Sequence, residues 1–196
     1  MTSPKPNRTA PVVGFVGPSG VGKTSLVECL VAELTRRGHS VGAVKHASHG
    51  FLADRPGKDS YRFYESGAAA VALISREQIA TFTRAERGVG EEVSLADTLA
   101  TLPMELDIVL AEGFSWEPIP RVVLVRDEEE PAPAHVENGE VLEVVNAPGP
   151  PFDEKPEFPD SLIETLIQLL EAQVRRGAAT RCGHSGHHGA VHESAA

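Results

Sequence analysis

Residues 11–24 read PVVGFVGPSGVGKT, and two features of that stretch decide the architecture. The apolar run 12–16 ends at a glycine without polar alternation, the pattern of a strand buried on both faces of a parallel sheet. Gly17 to Thr24 then satisfies G-x-x-x-x-G-K-[ST] between that strand and a helix. Glycine accepts positive φ and close approach of the backbone, so Gly17, Gly20 and Gly22 let successive N–H groups curl around phosphate oxygens. Ser19 and Val21 complete that curl. The helix adds its positive dipole end, Lys23 reaches the outer phosphates and stabilises charge on a transferred phosphoryl group, and Thr24 offers a hydroxyl to Mg²⁺ with Ser25 beside it. No general base stands out beside them.

After the motif, TSLVECLVAELTRRG carries apolar side chains at Leu26, Val27, Leu30, Val31 and Leu34, with Arg36 and Arg37 at the negative end and Gly38 as a stop. Cys29 falls on the apolar side of that helix and is expected as a small buried thiol. SVGAVK then closes a βαβ unit. AAAVALIS, QIATFT, LDIVLAEG, PRVVLVR and EVLEVV read as further strands, and SLADTLATL as a helix opening at Ser94. Pro159, Asp160 and Ser161, with Glu164 completing a capping box, start a last helix through Leu162, Ile163, Leu166, Leu169 and Leu170. The sum is an α/β fold, a P-loop NTPase three-layer sandwich with a mainly parallel sheet.

At 196 residues the chain fits one domain, here 11–176, after a disordered lead-in at 1–10. Residues 126–140, RDEEEPAPAHVENGE, are expected as an exposed loop, and 177–196 as a disordered tail rich in histidine. A formal charge of -10 argues against nucleic-acid or anionic-membrane binding, which call for a basic face. MTSPKPNRTA lacks the apolar core of a signal peptide, and no run approaches the roughly 18 apolar residues that span a bilayer, so a cytoplasmic protein is expected. Cys29 and Cys182 do not make a disulfide framework.

Magnesium also calls for a carboxylate at the end of a buried strand, on the edge where ligands bind in open parallel sheets. In LDIVLAEG, Asp107 starts its strand and Glu112 ends it, which separates them by roughly 15 Å in height. Glu112 is therefore the metal-side residue, Asp107 a strand-entry or capping one, and Gly113 allows a sharp turn at the site. The stretch from Lys45 onward emerges on the same edge.

GPSGVGKTSL, VKHASHGFLADRPGKDSYRFYESGA, DIVLAEGF and IPRVVLVR, in that order across residues 12–126, resemble the MobB family of molybdopterin-guanine dinucleotide biosynthesis adaptor proteins. The resemblance implies a GTP-binding, slowly hydrolysing homodimer that assists the guanylyltransferase MobA. It also implies that PGKDS, residues 56–60, together with Glu112, belongs to the family's characteristic site. Within that loop, Asp54 and Asp59 are placed to position Mg²⁺ or its waters, and Lys58 to meet an anionic phosphate or molybdopterin. Ser60 is placed to cap the helix in SYRFYESG, and capping is open to Asp59 too. His46 and His49 read as loop hydrogen-bonding or pterin-contacting groups rather than a structural metal site, for want of further donors.

The chain lacks N-K-x-D, so guanine rests on the resemblance; Asn146 in VVNAPGPPF either touches the base edge or forms a turn. His184, His187, His188 and His192 beside Cys182 suit loose binding of nickel, zinc or copper. Two further functions share the motif: a nickel-delivering metallochaperone GTPase, prompted by that tail, and a small-molecule kinase with Asp54 or Asp59 serving its acceptor. Nickel release on GTP turnover, or phosphoryl transfer to a metabolite, would set these apart from capture of a GMP-transferring partner.

Overall fold

A computed structural model describes residues 10–52, 54–84, 94–102, 105–126, 131–147 and 156–183. The chain divides into two units, Met1–His46 with Leu95–Ala196, and Ala47–Ser94.

In the first unit, five strands pair in one wholly parallel sheet: β1 (Val12–Val16), β2 (Val41–Lys45), β5 (Ile108–Glu112), β6 (Arg121–Arg126) and β7 (Val141–Ala147), in the order β2-β5-β1-β6-β7. The sheet has two apolar faces because successive side chains alternate across it. Val13, Phe15, Ile108, Leu110, Val122 and Leu124 point to one face. There they meet Leu26, Leu30 and Leu34 of α1 (Lys23–Arg36) and Leu166, Ile167 and Leu170 of α5 (Asp160–Gly183). Val44, Val109 and Ala111 point to the other face, under Leu95 and Leu99 of α3 (Leu95–Leu99), while Val136 of α4 (Pro133–Val136) packs on Val16, Val123 and Val125. The result is the expected three-layer sandwich, with its second face covered by short helices. Each fully buried Leu or Phe here stabilises the fold by about 1.5–3 kcal/mol.

Several local expectations are corrected. Cys29 is exposed, because the buried stripe of α1 runs through Leu26, Val27, Leu30 and Leu34 and passes it by. Glu164 does not close a capping box: its carboxylate takes Arg37 Nη2 from α1 and, at 3.2 Å, Gln168 Nε2, so it ties two helices together. Arg37 also reaches Glu171 at 3.5 Å. Helix α5 continues to Gly183, so residues 177–183 are helical, their alanines favouring continuation of the helix beyond Arg176. In the expected loop 126–140, Arg126 ends β6 and residues 133–136 form α4, opened by Pro133 in the first turn, where proline's missing N–H costs nothing. The lead-in 1–9 and His184, His187, His188 and His192 lie outside the described residues.

The second unit holds α2 (Asp59–Glu65) and an antiparallel hairpin of β3 (Ala70–Ile74) and β4 (Ile79–Thr83). Both strands were expected; their pairing forms a separate two-stranded sheet instead of extending the parallel one. Ser75 organises the turn, its backbone N–H donating to Gln78 O at 2.8 Å and its hydroxyl accepting from the N–H groups of Glu77 and Gln78. Arg84 lies over the Tyr64 ring at 4.0 Å and donates to the backbone carbonyls of Tyr64 and Ala68. Among the described residues, no helix is long and apolar enough to cross a membrane.

Candidate nucleotide-binding site

The central strand β1 delivers the chain to the carboxyl edge of the sheet, where Gly17 to Thr24 turn it into α1. The backbone there has φ +146° at Gly17, +71° at Gly20 and +97° at Gly22, all left-handed values open to glycine. At Gly17 a Cβ would also lie 2.4 Å from the carbonyl oxygen of Leu124, so any side chain there would force β1 and β6 apart. Val21 is buried and anchors the curl to the core, while Ser19 and Ser25 stay near the surface.

Lys23 folds back over the loop, its Nζ donating to the carbonyls of Gly17 at 2.9 Å and Pro18 at 2.6 Å. Burial pulls its pKa below the ordinary lysine value, the Glu112 carboxylate opposes that, and Lys45 and Arg126 reinforce it. A cationic group held against carbonyls with cationic neighbours is a group placed to receive an anion.

Glu112 is brought where the strand-end argument put it. The Thr24 hydroxyl donates to its carboxylate, at 3.0 Å from Oε1 and 2.9 Å from Oε2, and Lys45 Nζ donates to Oε1 at 2.8 Å. Lys45 Nζ also lies 3.0 Å from Thr24 Oγ1. The sheet sets this meeting, since Lys45 and Glu112 are register partners on β2 and β5, and Phe15 partners Glu112 from β1. The carboxylate is mostly buried, with its side chain 12% exposed, and is therefore weakly screened. Asp107, at the other end of the strand, accepts the backbone N–H of Ser40 at 2.8 Å, a strand-entry role as expected.

After Glu112 the chain turns through Gly113 at φ +91° and Phe114 at φ +56°, an unusual value for an aromatic residue. The turn is held by packing: Phe114 is buried, and His46 contacts its ring at 5.7 Å and that of Trp116 at 4.9 Å. His46 thus works as an aromatic wedge behind the site. Below it, the fully buried Arg121 donates to the carbonyls of Ser115, Glu117 and Ile119, clamping the segment that carries Trp116. Gly139 makes room for that clamp, because a Cβ there would lie 2.1 Å from Ile119 O and 3.0 Å from the guanidinium.

Two groups of the site escaped the sequence reading. Lys45 was placed on the phosphate edge without a role of its own, and Arg126 was not singled out. Arg126 Nη2 donates to Ser19 O at 3.1 Å, and its buried Nε has no partner among the described residues. The signal for both was available: a basic residue ending a strand of the same parallel sheet as β1 must emerge on the phosphate edge.

Asp54, Lys58 and Asp59 lie in the second unit. Asp54 accepts the Ser60 hydroxyl and, at 2.6 Å, the Arg55 N–H, and these two bonds, Ser60 first, hold its carboxyl below the ordinary value. Ser60 is buried inside α2 and serves Asp54 instead of capping the helix. Lys58 is the residue before α2 and Asp59 its first residue; Asp59 faces Arg62 at 3.9 Å and is strongly exposed. Asn146 is an exposed residue within β7, paired in register with Val125, and so is not the turn residue allowed for.

Taken together, the residues of the first unit fit a nucleotide phosphate and a hard cation. The glycine curl and Lys23 suit phosphate oxygens, and a threonine hydroxyl beside a carboxylate is an oxygen donor set for Mg²⁺.

The family model described as molybdopterin guanine dinucleotide synthesis protein B matches residues 12–147. The molybdopterin-guanine dinucleotide biosynthesis adapter protein of Haemophilus influenzae is 39% identical over 122 residues, covering 62% of this chain and 67% of that one. Its counterpart in Escherichia coli is 38% identical over 118 residues, covering 60% and 66%. The matched part is thus about two thirds of the length of these relatives. Among solved structures, one of molybdopterin-guanine biosynthesis protein B superimposes with a TM-score of 0.62 at 28% identity, covering 84% of this chain and 99% of the other. That of a MobB homologue from Bacillus stearothermophilus gives 0.58 at 30% identity, covering 84% and 98%.

Proposed function

Because this chain belongs to the MobB family, we propose that it is a GTP-binding adapter in molybdopterin guanine dinucleotide biosynthesis. The observation that carries this reading is the meeting of Thr24, Glu112 and Lys45 at the lip of the Gly17 to Thr24 curl. In it, the N–H groups of the curl and Lys23 hold the β and γ phosphates, and Thr24 and Glu112 would hold Mg²⁺, which when bound would neutralise phosphate charge. Lys45 holds the Glu112 carboxylate in place by an ion pair at 2.8 Å. Arg126 fixes the curl through Ser19 O and adds positive charge beside the phosphates.

The finer parts of the reading follow the family. The partner is a MobA-type guanylyltransferase, the working form a homodimer in the cytoplasm, hydrolysis slow, and molybdopterin a further ligand for which Lys58 supplies a cation.

Calorimetric titration of the full chain with a non-hydrolysable GTP analogue and Mg²⁺, with the ATP analogue as control, tests the base and the metal. Pull-down of the purified guanylyltransferase with GTP, GDP or no nucleotide tests the adapter role. Saturable GTP binding with nucleotide-dependent capture is expected. Absence of capture in every state would overturn the adapter reading.

A further inference from the structure

The second unit contains a cavity that the phosphate chemistry leaves unused. It measures about 600 Å³, within the range of small-molecule sites. Phe51, Leu52, Tyr61, Tyr64 and Phe82 give it apolar and aromatic walls, and Arg84, stacked at 4.0 Å, steadies the Tyr64 ring. Its polar lining includes two carboxylates, Asp54 and Glu65, and among the described residues no lysine or arginine lines it. A phosphate is disfavoured there, whereas a flat ring offering N–H donors is matched both by the walls and by the acceptors.

Asp54 is the better placed acceptor. Ser60 Oγ and Arg55 N–H each donate to one of its oxygens, which fixes the carboxylate and leaves each oxygen a second lone-pair direction. Two acceptors side by side match two adjacent N–H donors of one ring edge, the bidentate pattern that gives carboxylates their selectivity.

We propose that this cavity binds a fused heteroaromatic ring with a 2-amino-4-oxo-pyrimidine edge, the ring N–H and the 2-amino group donating to Asp54 and the ring plane lying among Phe51, Tyr64 and Phe82. Guanine and pterins share this edge. In its pterin form the site deepens, and rests on, the pathway reading above; the cavity and its acidic lining stand without it.

The test is fluorescence titration of the full chain with pterin-6-carboxylate, calorimetric titration with guanosine, and lumazine as the control with an oxo group in place of the 2-amino group. One ring per chain is expected, lumazine binding at least about tenfold more weakly through loss of a donor to a charged acceptor. Asp54→Asn should lower affinity by a similar factor. Phe82→Ala, which leaves the carboxylate intact, should lower it by about tenfold through lost stacking. Preference for pterin-6-carboxylate identifies a pterin site, and preference for guanosine a nucleobase site; either upholds the proposal. Failure of both probes to bind, or equal binding by lumazine, would overturn it. Lys23→Ala separates the two readings: it should weaken GTP binding by about 10–100-fold and leave ring binding intact. Loss of ring binding in that variant would show that the ring had been held by the phosphate curl and would overturn the second site. Wild-type GTP binding without ring binding would sink this inference and leave the nucleotide reading standing.

Discussion

The parallel-sheet unit and the hairpin unit solve the problem of holding polar groups in place by different means. In the first, Glu112, Lys45 and Thr24 stand on strand and helix ends whose inner faces are packed into a continuous apolar core. In the second, Val71 is the sole contribution to the buried apolar side chains among the described residues, while Phe51, Leu52, Phe63, Leu73, Ile74 and Ile79 are exposed. Its order comes from local bonds: Ser60 to Asp54, the Ser75 turn, and Arg84 over Tyr64. The first unit therefore holds its polar groups on a packed apolar core. The second keeps its apolar surface outward, where ligand or partner can use it.

Core truncations should cost the most stability. Phe15→Ala should destabilise the protein by about 3–5 kcal/mol, and Leu110→Ala by about 2–5 kcal/mol, through lost burial and a residual cavity. Val71→Ala should cost about 1 kcal/mol, since its sheet is two-stranded and mostly exposed. Urea unfolding of the three variants measures this directly. A loss at Val71 equal to that at Phe15 would break the contrast between the units.

Next in size is the loss of the phosphate charge. Lys23→Ala should weaken GTP binding by about 10–100-fold, the range for a hydrogen bond to a charged group, while leaving the unfolding midpoint nearly unchanged. Lys23 is already held against its desolvation cost, so its removal relieves as much as it takes away. Glu112→Gln should weaken the Mg²⁺ dependence of GTP binding by about tenfold, read by titration with and without the ion, and the remaining hydroxyl of Thr24 accounts for what persists.

Legibility in the sequence follows the same division. Strands 12–16, 108–112 and 121–126 read from unbroken apolar runs because both of their faces are buried, and the glycine-lysine motif reads because phosphate demands that backbone. Glu112 was placed by an argument about strand ends, and it does end β5, in register with Lys45. What failed to read was what depends on side chains meeting across long separations. Arg126 reaches Ser19 over 107 positions, and Glu164 reaches Arg37 over 127, so a local capping pattern at Ser161 suggested the wrong partner. Cys29 failed for a finer reason: the buried stripe of α1 is narrower than its apolar composition. In the hairpin unit the strands were legible, but their pairing was not, because exposed alternation says little about which sheet a strand joins.

Two carboxylates, Glu33 and Asp54, show how the two units hold a charge. Glu33 is held down to about 2 by Arg36 and then Arg37, which pair with it on the surface of α1. Asp54 is also held below its ordinary value, but chiefly by the Ser60 hydroxyl and then the Arg55 backbone N–H, which carry no net charge, with smaller contributions from the charges of Lys58 and Arg55. Both folded-state values are depressed, so each contributes stability that is present above the unfolded value and lost as pH falls through the folded one. For Glu33 that window runs from 4.5 down to about 2. Salt distinguishes the two causes, since ions screen an exposed ion pair far more than a short bond between a carboxylate and a hydroxyl. Carboxyl resonances followed by NMR through acid titration should show the Glu33 midpoint rising toward its ordinary value in 1 M salt, where the screening length is about 3 Å, and in Arg36→Ala. Asp54 should move little with salt and rise in Ser60→Ala. An Asp54 midpoint as salt-sensitive as that of Glu33 would mean that the hairpin unit, too, is ordered by ion pairs, and the contrast drawn between local bonding and a packed platform would lose its physical basis.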